Sequence, residues 1–421
     1  MAAHRILITG GISGFVGARV TALLAHQPHP PTLRLLAHRA QPRKPAPAVG
    51  NTATRLNDMW TQAEDLRADA AHRPATSMRT RGTNLPTAQG TPPATAGMPG
   101  PGDRTRTGPT ALHITPAAVP VTPTALHPTP VQAPAPGIEV WNGSLTDPTT
   151  LHGLCDGIDT VLHLASHIGT NPELCRAVND TGTGALLAEA QRSNVKRFIH
   201  LSTTAVYRDG RHVGLTEQEA PLGPTSPTSI TRLAGEQRVL AAGGIVLRPH
   251  LIYGHGDQWL LPALIQFMKT LPHWVNHGQA LHSLISAHDL ANIITQLALH
   301  PTPPPTPILH IARPTPITTR ELFTTTAHTH HLPHPTGNIT HTQAQTWPGA
   351  HTNPAWQRHL SLLTTDHYYD TTPLHTHLNT PAPTPFTDDY TTHTTPHPTY
   401  QHHDTHSHDH ETDNRRTTTP A

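Results

Sequence analysis

Gly11, Gly14 and Gly17 fall in the run Gly11-Ile12-Ser13-Gly14-Phe15-Val16-Gly17, directly after the apolar stretch Ile6-Leu7-Ile8-Thr9 and at the start of a helical pattern from Phe15 to about Ala25. Glycines at that spacing let a backbone approach a pyrophosphate, and a helix N-terminus adds free N–H groups and partial positive charge. With a strand before and a helix after, the chemistry expected is capture of a dinucleotide. Near the end of the next strand, a carboxylate would hold both ribose hydroxyls of NAD. The residues there are Leu36-Ala37-His38-Arg39, with no acid and one guanidinium. Arg39 suits a 2′-phosphate, so NADPH is the expected cofactor, with NADH as the alternative. A second cluster, Gln401-His402-His403-Asp404-Thr405-His406-Ser407-His408-Asp409-His410-Glu411, spaces imidazoles closely enough to gather nickel or zinc adventitiously. It specifies no fixed metal site, and no metal is expected as a cofactor.

These residues need rigid elements to position them. Ile6–Thr9 reads as a strand buried on both faces, followed by a strand at Leu33–Ala37. Further strands are expected at Ile138–Trp141, Thr160–Leu164, Arg197–Leu201, Ile245–Leu247 and Ile308–Ile311. Helices are expected over Asp147–Leu154, about Glu173–Ser193 and about Thr231–Ala242. Strands alternating with helices imply right-handed crossovers. The expected class is therefore α/β, a Rossmann-type doubly wound parallel sheet.

Composition sets the boundaries. Of 46 prolines in 421 residues, 3 lie in 1–39, 17 in 40–137, 8 in 138–300 and 18 in 301–421, so the excess is regional. Residues 1–39 and 138–250 read as the dinucleotide-binding domain. Residues 40–137 read as a disordered Pro/Thr/Ala-rich insertion with one short helix over Asn57–Ala71. Residues 251–387 read as a small substrate-binding subdomain, and 388–421 as a disordered His/Thr-rich tail. A formal net charge of +1 gives no field for nucleic acid. Two cysteines, Cys155 and Cys175, exclude a disulfide framework and a Cys-based zinc site. With no apolar run of about 18 residues and no secretory pattern, a soluble cytoplasmic protein is expected.

Several motifs occur in one family's order: Gly143-Ser144-Leu145-Thr146-Asp147, Asp159-Thr160-Val161-Leu162-His163-Leu164-Ala165, Asn179-Asp180-Thr181-Gly182-Thr183, Ser202-Thr203-Thr204-Ala205-Val206-Tyr207 and Ser286-Ala287-His288-Asp289. With the glycine run, they make the chain resemble the extended short-chain dehydrogenase/reductases, the NAD-dependent epimerase/dehydratase family. That resemblance implies hydride transfer at a carbonyl or hydroxyl, with Leu164 and Ala165 beside the cofactor and His167 in the substrate pocket. It also implies a Ser or Thr that polarises the oxygen, here Thr203, and a Tyr with a Lys four residues later. The Tyr and Lys positions read Thr228 and Arg232. Thr228 is a poor acid near pH 7 and Arg232 cannot shuttle protons, although Arg232 can still hold the nicotinamide ribose. The proton donor is then expected to be Tyr207, His167 or ordered water. The family's sugar-nucleotide 4,6-dehydratases carry Thr-Asp-Glu before the Val-Tyr pair, so with the uncharged triplet Thr203-Thr204-Ala205 the resemblance does not imply dehydration.

The run Leu247-Arg248-Pro249-His250-Leu251-Ile252-Tyr253-Gly254, with Trp259, Trp274 and Leu362–Asp370, is similar to NDP-4-keto-6-deoxyhexose 4-ketoreductases of antibiotic-sugar pathways. This resemblance implies reduction of a nucleotide-linked keto sugar, with Arg248 and Trp259 at the substrate. A catalytically silent NADP(H)-binding protein and a nucleotide-sugar 4-epimerase are the alternatives. Family members often pair through a four-helix interface, which implies a homodimer through the helices near 173–193 and 231–242.

Overall fold

A computed structural model describes residues 4–12, 14–38, 137–348, 356–380 and 382–394. Ser13, Arg39, the Asn57–Ala71 helix and nearly all of the insertion lie outside the described residues.

Fifteen strands are described: β1 (Arg5–Thr9), β2 (Thr32–His38), β3 (Ile138–Gly143), β4 (Thr160–His163), β5 (Arg197–Leu201), β6 (His212–Leu215), β7 (Ile245–Pro249), β8 (Leu251–Tyr253), β9 (Trp274–Val275), β10 (Leu281–His282), β11 (Leu284–Ser286), β12 (Ile308–Ile311), β13 (Ile317–Thr318), β14 (Asn338–Ile339) and β15 (His367–Tyr369). Seven form one parallel sheet in the order β12-β7-β5-β4-β1-β2-β3. The chain runs outward from β1 in both directions, so the order reverses between β1 and β4. A ligand crevice is expected outside the carboxyl ends of strands at such a point.

Alternation along β1 covers both faces. Ile6 and Ile8 pack with Val20, Leu24, Leu290 and Ile294, while Leu7 packs with Val161, Leu186, Val239 and Val246. All three β1 side chains are fully buried, each contributing about 1.5–3 kcal/mol. The doubly wound parallel sheet expected from the sequence is thus observed.

Three local expectations change. Asp147–Leu154 forms only the 3-10 turn Pro148–Leu151, followed at Gly153 by a left-handed φ of 82°. The helix near Glu173–Ser193 is interrupted by a π-helical segment, Arg176–Gly182. The helix expected from Thr231 begins at Pro227, where Ser226 and Ser229 form a reciprocal capping box and Pro227 occupies the first turn.

Residues 251–387 do not form a separate block. β12 pairs with β7 inside the parallel sheet, and the Ala287–Leu299 helix packs against the Gly17–Ala25 helix in the same core. The second half is built on the small sheet β13-β10-β15-β6 and an apolar cluster that includes Tyr253, Phe267, Trp356 and Phe386. The expected tail boundary at 388 also moves. Helix Phe386–Thr394 buries Phe386 and Tyr390 in that cluster, because its aromatic residues sit four apart on one face.

Candidate active site

The glycine turn sits at the carboxyl end of β1. Gly10 has φ +76°, and a side chain there would press on the backbone of Ala165, 3.1 Å away. A Cβ on Gly14 or Gly17 would lie 2.3 or 2.1 Å from the Gly10 carbonyl oxygen, so both positions require glycine. The Gly17–Ala25 helix starts with no side-chain cap at Val16, and in its first turn Ala18 N donates to Gly14 O at 3.1 Å. Leu164 and Ala165 are tied to this turn, since Leu164 N donates to Thr9 O at 3.2 Å and Ala165 N donates to Thr9 Oγ1 at 3.2 Å. The geometry therefore gathers Gly11, Gly14, Gly17, Leu164 and Ala165. Ile12 is exposed on the turn. Val16 is buried in the core, and Phe15 packs against that core under Arg19. Their side chains serve packing.

Beneath the turn runs a buried polar column. Thr183 Oγ1 donates to Asn179 O (2.8 Å), so it must accept from His163 Nε2 (2.9 Å), and His163 Nδ1 then accepts from Thr9 Oγ1 (2.8 Å). Burial, with the Arg232 charge adding to it, pulls the His163 pKa down to about 3, and the ring stacks on His200 at 4.9 Å. Asn179, carried by the π-helical segment, clamps the pocket loop. Its Oδ1 accepts from His167 N at 2.7 Å, and its Nδ2 donates to His167 O at 2.8 Å and to Thr231 Oγ1 at 3.2 Å. Asn179 was visible only as part of a motif, and its role depends on a loop twelve residues away.

The chemical candidates separate into inward and outward groups. Thr203 follows β5 and is half-buried; its Oγ1 accepts from Ala205 N at 3.1 Å, heading the Thr204–Val206 turn. His167 is also half-buried, and burial lowers its pKa. Trp259 is 38% exposed at the start of the Leu260–Thr270 helix.

The others turn inward and correct the sequence reading. Thr228 Oγ1 donates to Gly169 O at 2.9 Å and accepts from Gly169 N at 3.1 Å, so its hydroxyl holds a loop. Tyr207 is 3% exposed, with its hydroxyl 2.6 Å from His310 Nε2 and 2.9 Å from Arg248 Nη1, and burial pushes its pKa up to about 12. Arg248, 2% exposed, is committed to the fully buried Glu236 (Nε to Oε2 at 3.1 Å), which removes it as a substrate contact. Nothing in the sequence singles out Glu236 as its partner. Arg232 is 8% exposed and donates from Nη2 to Leu201 O at 2.7 Å; burial lowers its pKa to about 10, which leaves it charged at neutral pH. Arg232 Nε and the Ser202 hydroxyl are buried without hydrogen-bond partners among the described residues.

The family model described as "NAD dependent epimerase/dehydratase family" matches residues 115–312. A ketoreductase of Stigmatella aurantiaca, named for a 4-hydroxy-2-methyl-3-oxo-4-farnesyl-3,4-dihydroquinoline-1-oxide substrate, is 36% identical over 152 residues, covering 34% of this chain and 45% of its own. The 2-alkyl-3-oxoalkanoate reductase of Stenotrophomonas maltophilia is 32% identical over 141 residues, covering 31% of this chain and 43% of its own. The matches therefore span less than half the length of these curated relatives. Among solved structures, Bordetella bronchiseptica WbmG in complex with NAD and UDP superposes with a TM-score of 0.55 at 17% identity, covering 93% of each chain. The dTDP-glucose 4,6-dehydratase DesIV of Streptomyces venezuelae, with NAD and TYD bound, gives a TM-score of 0.53 at 17% identity, covering 92% of this chain and 95% of its own. At such identities the likeness concerns the fold. Among the described residues, no helix is long and apolar enough to cross a membrane. Family model and curated relatives thus make this chain similar to the NAD dependent epimerase/dehydratase family over part of its length.

Proposed function

We propose that this chain is a nicotinamide-dinucleotide-dependent ketoreductase acting on the C4 keto group of a nucleotide-linked 4-keto-6-deoxy sugar. The observation that carries this reading is the glycine turn at the carboxyl end of β1, with Gly14 and Gly17 against the Gly10 carbonyl and an uncapped helix start beyond it. That cradle fits a pyrophosphate, and a reduced nicotinamide bound there supplies hydride to a carbonyl carbon.

This chain's own residues have three tasks. Thr203 hydrogen-bonds the carbonyl oxygen, and the imidazolium of His167 gives that oxygen a proton, completing the alcohol. Tyr207 and Thr228 are spoken for by buried partners, so His167 is the remaining ionisable candidate of those the sequence offered. Arg232 places a fixed positive charge beneath the site, favouring the negative charge that develops on oxygen. Arg39 is assigned to a 2′-phosphate, which favours NADPH. Homodimerisation through the helices 183–192 and 227–241 belongs to the same proposal.

A second substrate reading is an apolar ketone without a nucleotide. It is favoured by the inward commitment of Arg248, which removes the expected diphosphate contact, and by the ketone names of the curated relatives. Single-turnover oxidation of NADPH tests both readings, with dTDP-4-keto-6-deoxyglucose and a 2-alkyl-3-oxoalkanoate as alternative acceptors. Oxidation with the sugar nucleotide is expected. Oxidation with only the oxoalkanoate selects the second reading, and nucleotide binding without oxidation by either acceptor identifies a silent binding protein. Tighter binding of NADH than NADPH would overturn the role of Arg39.

A further inference from the structure

Three histidines from separate elements meet in the second half of the molecule. His250 follows β7, His282 ends β10 and His367 opens β15; each offers one side-chain nitrogen within 4.8 Å of the other two. His282 is fully buried and His367 is 8% exposed. Their outer nitrogens are all held: His250 Nδ1 lies 2.7 Å from Thr204 Oγ1, His282 Nε2 lies 2.9 Å from Thr319 Oγ1, and His367 Nδ1 lies 2.8 Å from Thr365 O.

Those contacts fix two tautomers. Thr319 Oγ1 donates its own hydrogen to Leu363 O at 2.8 Å, so it accepts from His282 Nε2–H, and His282 Nδ1 carries a lone pair. A carbonyl only accepts, so His367 Nδ1 carries the hydrogen donated to Thr365 O, and its Nε2 carries a lone pair. His282 Nδ1 and His250 Nε2 are buried with no hydrogen-bond partner among the described residues. The lone pairs of His282 Nδ1 and His367 Nε2 thus lie in one cluster with His250, whose ring and that of His282 stand near-parallel to His367, at 18° and 13°. An unpaired buried acceptor costs about 1–3 kcal/mol, and a cation satisfies all of them together.

We propose that His250, His282 and His367 bind one divalent transition-metal ion of the zinc class. Three neutral imidazoles suit zinc and its neighbours, whereas magnesium and calcium require oxygen donors. The nearest carboxylate in sequence, Asp366, is engaged elsewhere, accepting from Leu281 N at 2.9 Å and pairing with Arg211 at 2.6 Å. A tetrahedral site with Zn–N bonds of about 2.0–2.1 Å sets its nitrogens about 3.4 Å apart, so the rings close by rotation on binding. The outer partners are the kind that orient metal-bound imidazoles. The ion would fasten β10 and β15 to the end of β7. Through His250 and Thr204 it would also fix the turn headed by Thr203. The site stands whether or not the chain reduces ketones.

The test uses the full chain with His402, His403, His406, His408 and His410 changed to Gln, so that the terminal cluster does not contribute. After exposure to zinc and exhaustive dialysis, elemental analysis is expected to find one zinc per chain. Cobalt(II) in its place is expected to show the intense visible bands of a four- or five-coordinate ion. His282→Ala should abolish both signals. Thr319→Val, which keeps all three imidazoles, should weaken zinc binding about 10–100-fold. If far-UV circular dichroism shows that His282→Ala does not fold, His282→Cys should retain cobalt and add a thiolate charge-transfer band. Zinc well below one per chain, one zinc retained by folded His282→Ala, no thiolate band in His282→Cys, or unchanged affinity in Thr319→Val would each overturn the site.

Discussion

The two ends of the parallel sheet's carboxyl edge are built on different principles. At the β1–β4 end, the proposed recognition rests on backbone: Gly10, Gly14 and Gly17 crowd one carbonyl, and the helix behind them starts without a side-chain cap. At the β5 end, reactivity must come from side chains. There Thr228 and Arg232, the expected acid/base candidates, are absorbed into the interior, Thr228 on Gly169 and Arg232 on Leu201. Backbone recognition tolerates little change because a single Cβ blocks it. An acid/base function can move to any side chain that reaches the same oxygen.

The contrast is tested most severely at its inward side. Arg248→Met leaves Glu236 as an unpaired charge at 0% exposure and should cost about 3–5 kcal/mol of stability. Chemical denaturation measures this, and a loss below about 1 kcal/mol would mean that the pair does not anchor the β7 end. On the outward side, His167→Ala should lower kcat about 10²–10⁴-fold without changing nucleotide affinity. Tyr207→Phe should leave kcat nearly unchanged while costing about 1–3 kcal/mol through the unpaired Arg248 and His310. The reverse pattern would return the donor role to Tyr207. In the proposed reaction the His167 imidazolium is the active form, and burial lowers its pKa below 6.5. The wild-type rate should therefore climb as pH falls from 8 towards 6, and the His167→Ala profile should be flat over that range.

A smaller effect tests the column under the glycine turn. His163 is held neutral in the fold, with its pKa pulled to about 3, and titrates near 6.5 when unfolded. Between those values the unfolded chain binds the extra proton. Stability contributed by this residue is full above pH 6.5 and falls by up to about 1.4 kcal/mol per pH unit on acidification. His163→Asn should flatten that acid limb in denaturant midpoints measured from pH 7 to 4.

The sequence showed the binding end well and the reactive end poorly, for physical reasons. Glycine spacing and apolar runs are local, so the turn could be read directly and Ile308–Ile311 was placed to the residue. That β12 joins the parallel sheet was not local information, because its partner β7 lies some sixty residues earlier. The inward fate of Tyr207 depends on Arg248 and on His310, 103 residues away. The imidazole cluster joins residues 250, 282 and 367 with no regular spacing, whereas the terminal histidines are spaced closely enough to be legible in the sequence. The helix Phe386–Thr394 was hidden by Thr-rich, Pro-flanked sequence, although its aromatic residues fill the second core.

In the proposed function the glycine turn binds the dinucleotide, and the acid/base role lies outside Thr228 and Arg232. Titration of NADPH fluorescence into wild type, Gly17→Ala and Arg232→Met tests it most directly, with circular dichroism confirming folded protein. The Gly17 Cβ would lie 2.1 Å from the Gly10 oxygen. The displaced turn should weaken NADPH binding on the order of 100-fold, while Arg232→Met, whose guanidinium faces Leu201, should change it by less than about tenfold. Equal affinities in wild type and folded Gly17→Ala would contradict the account.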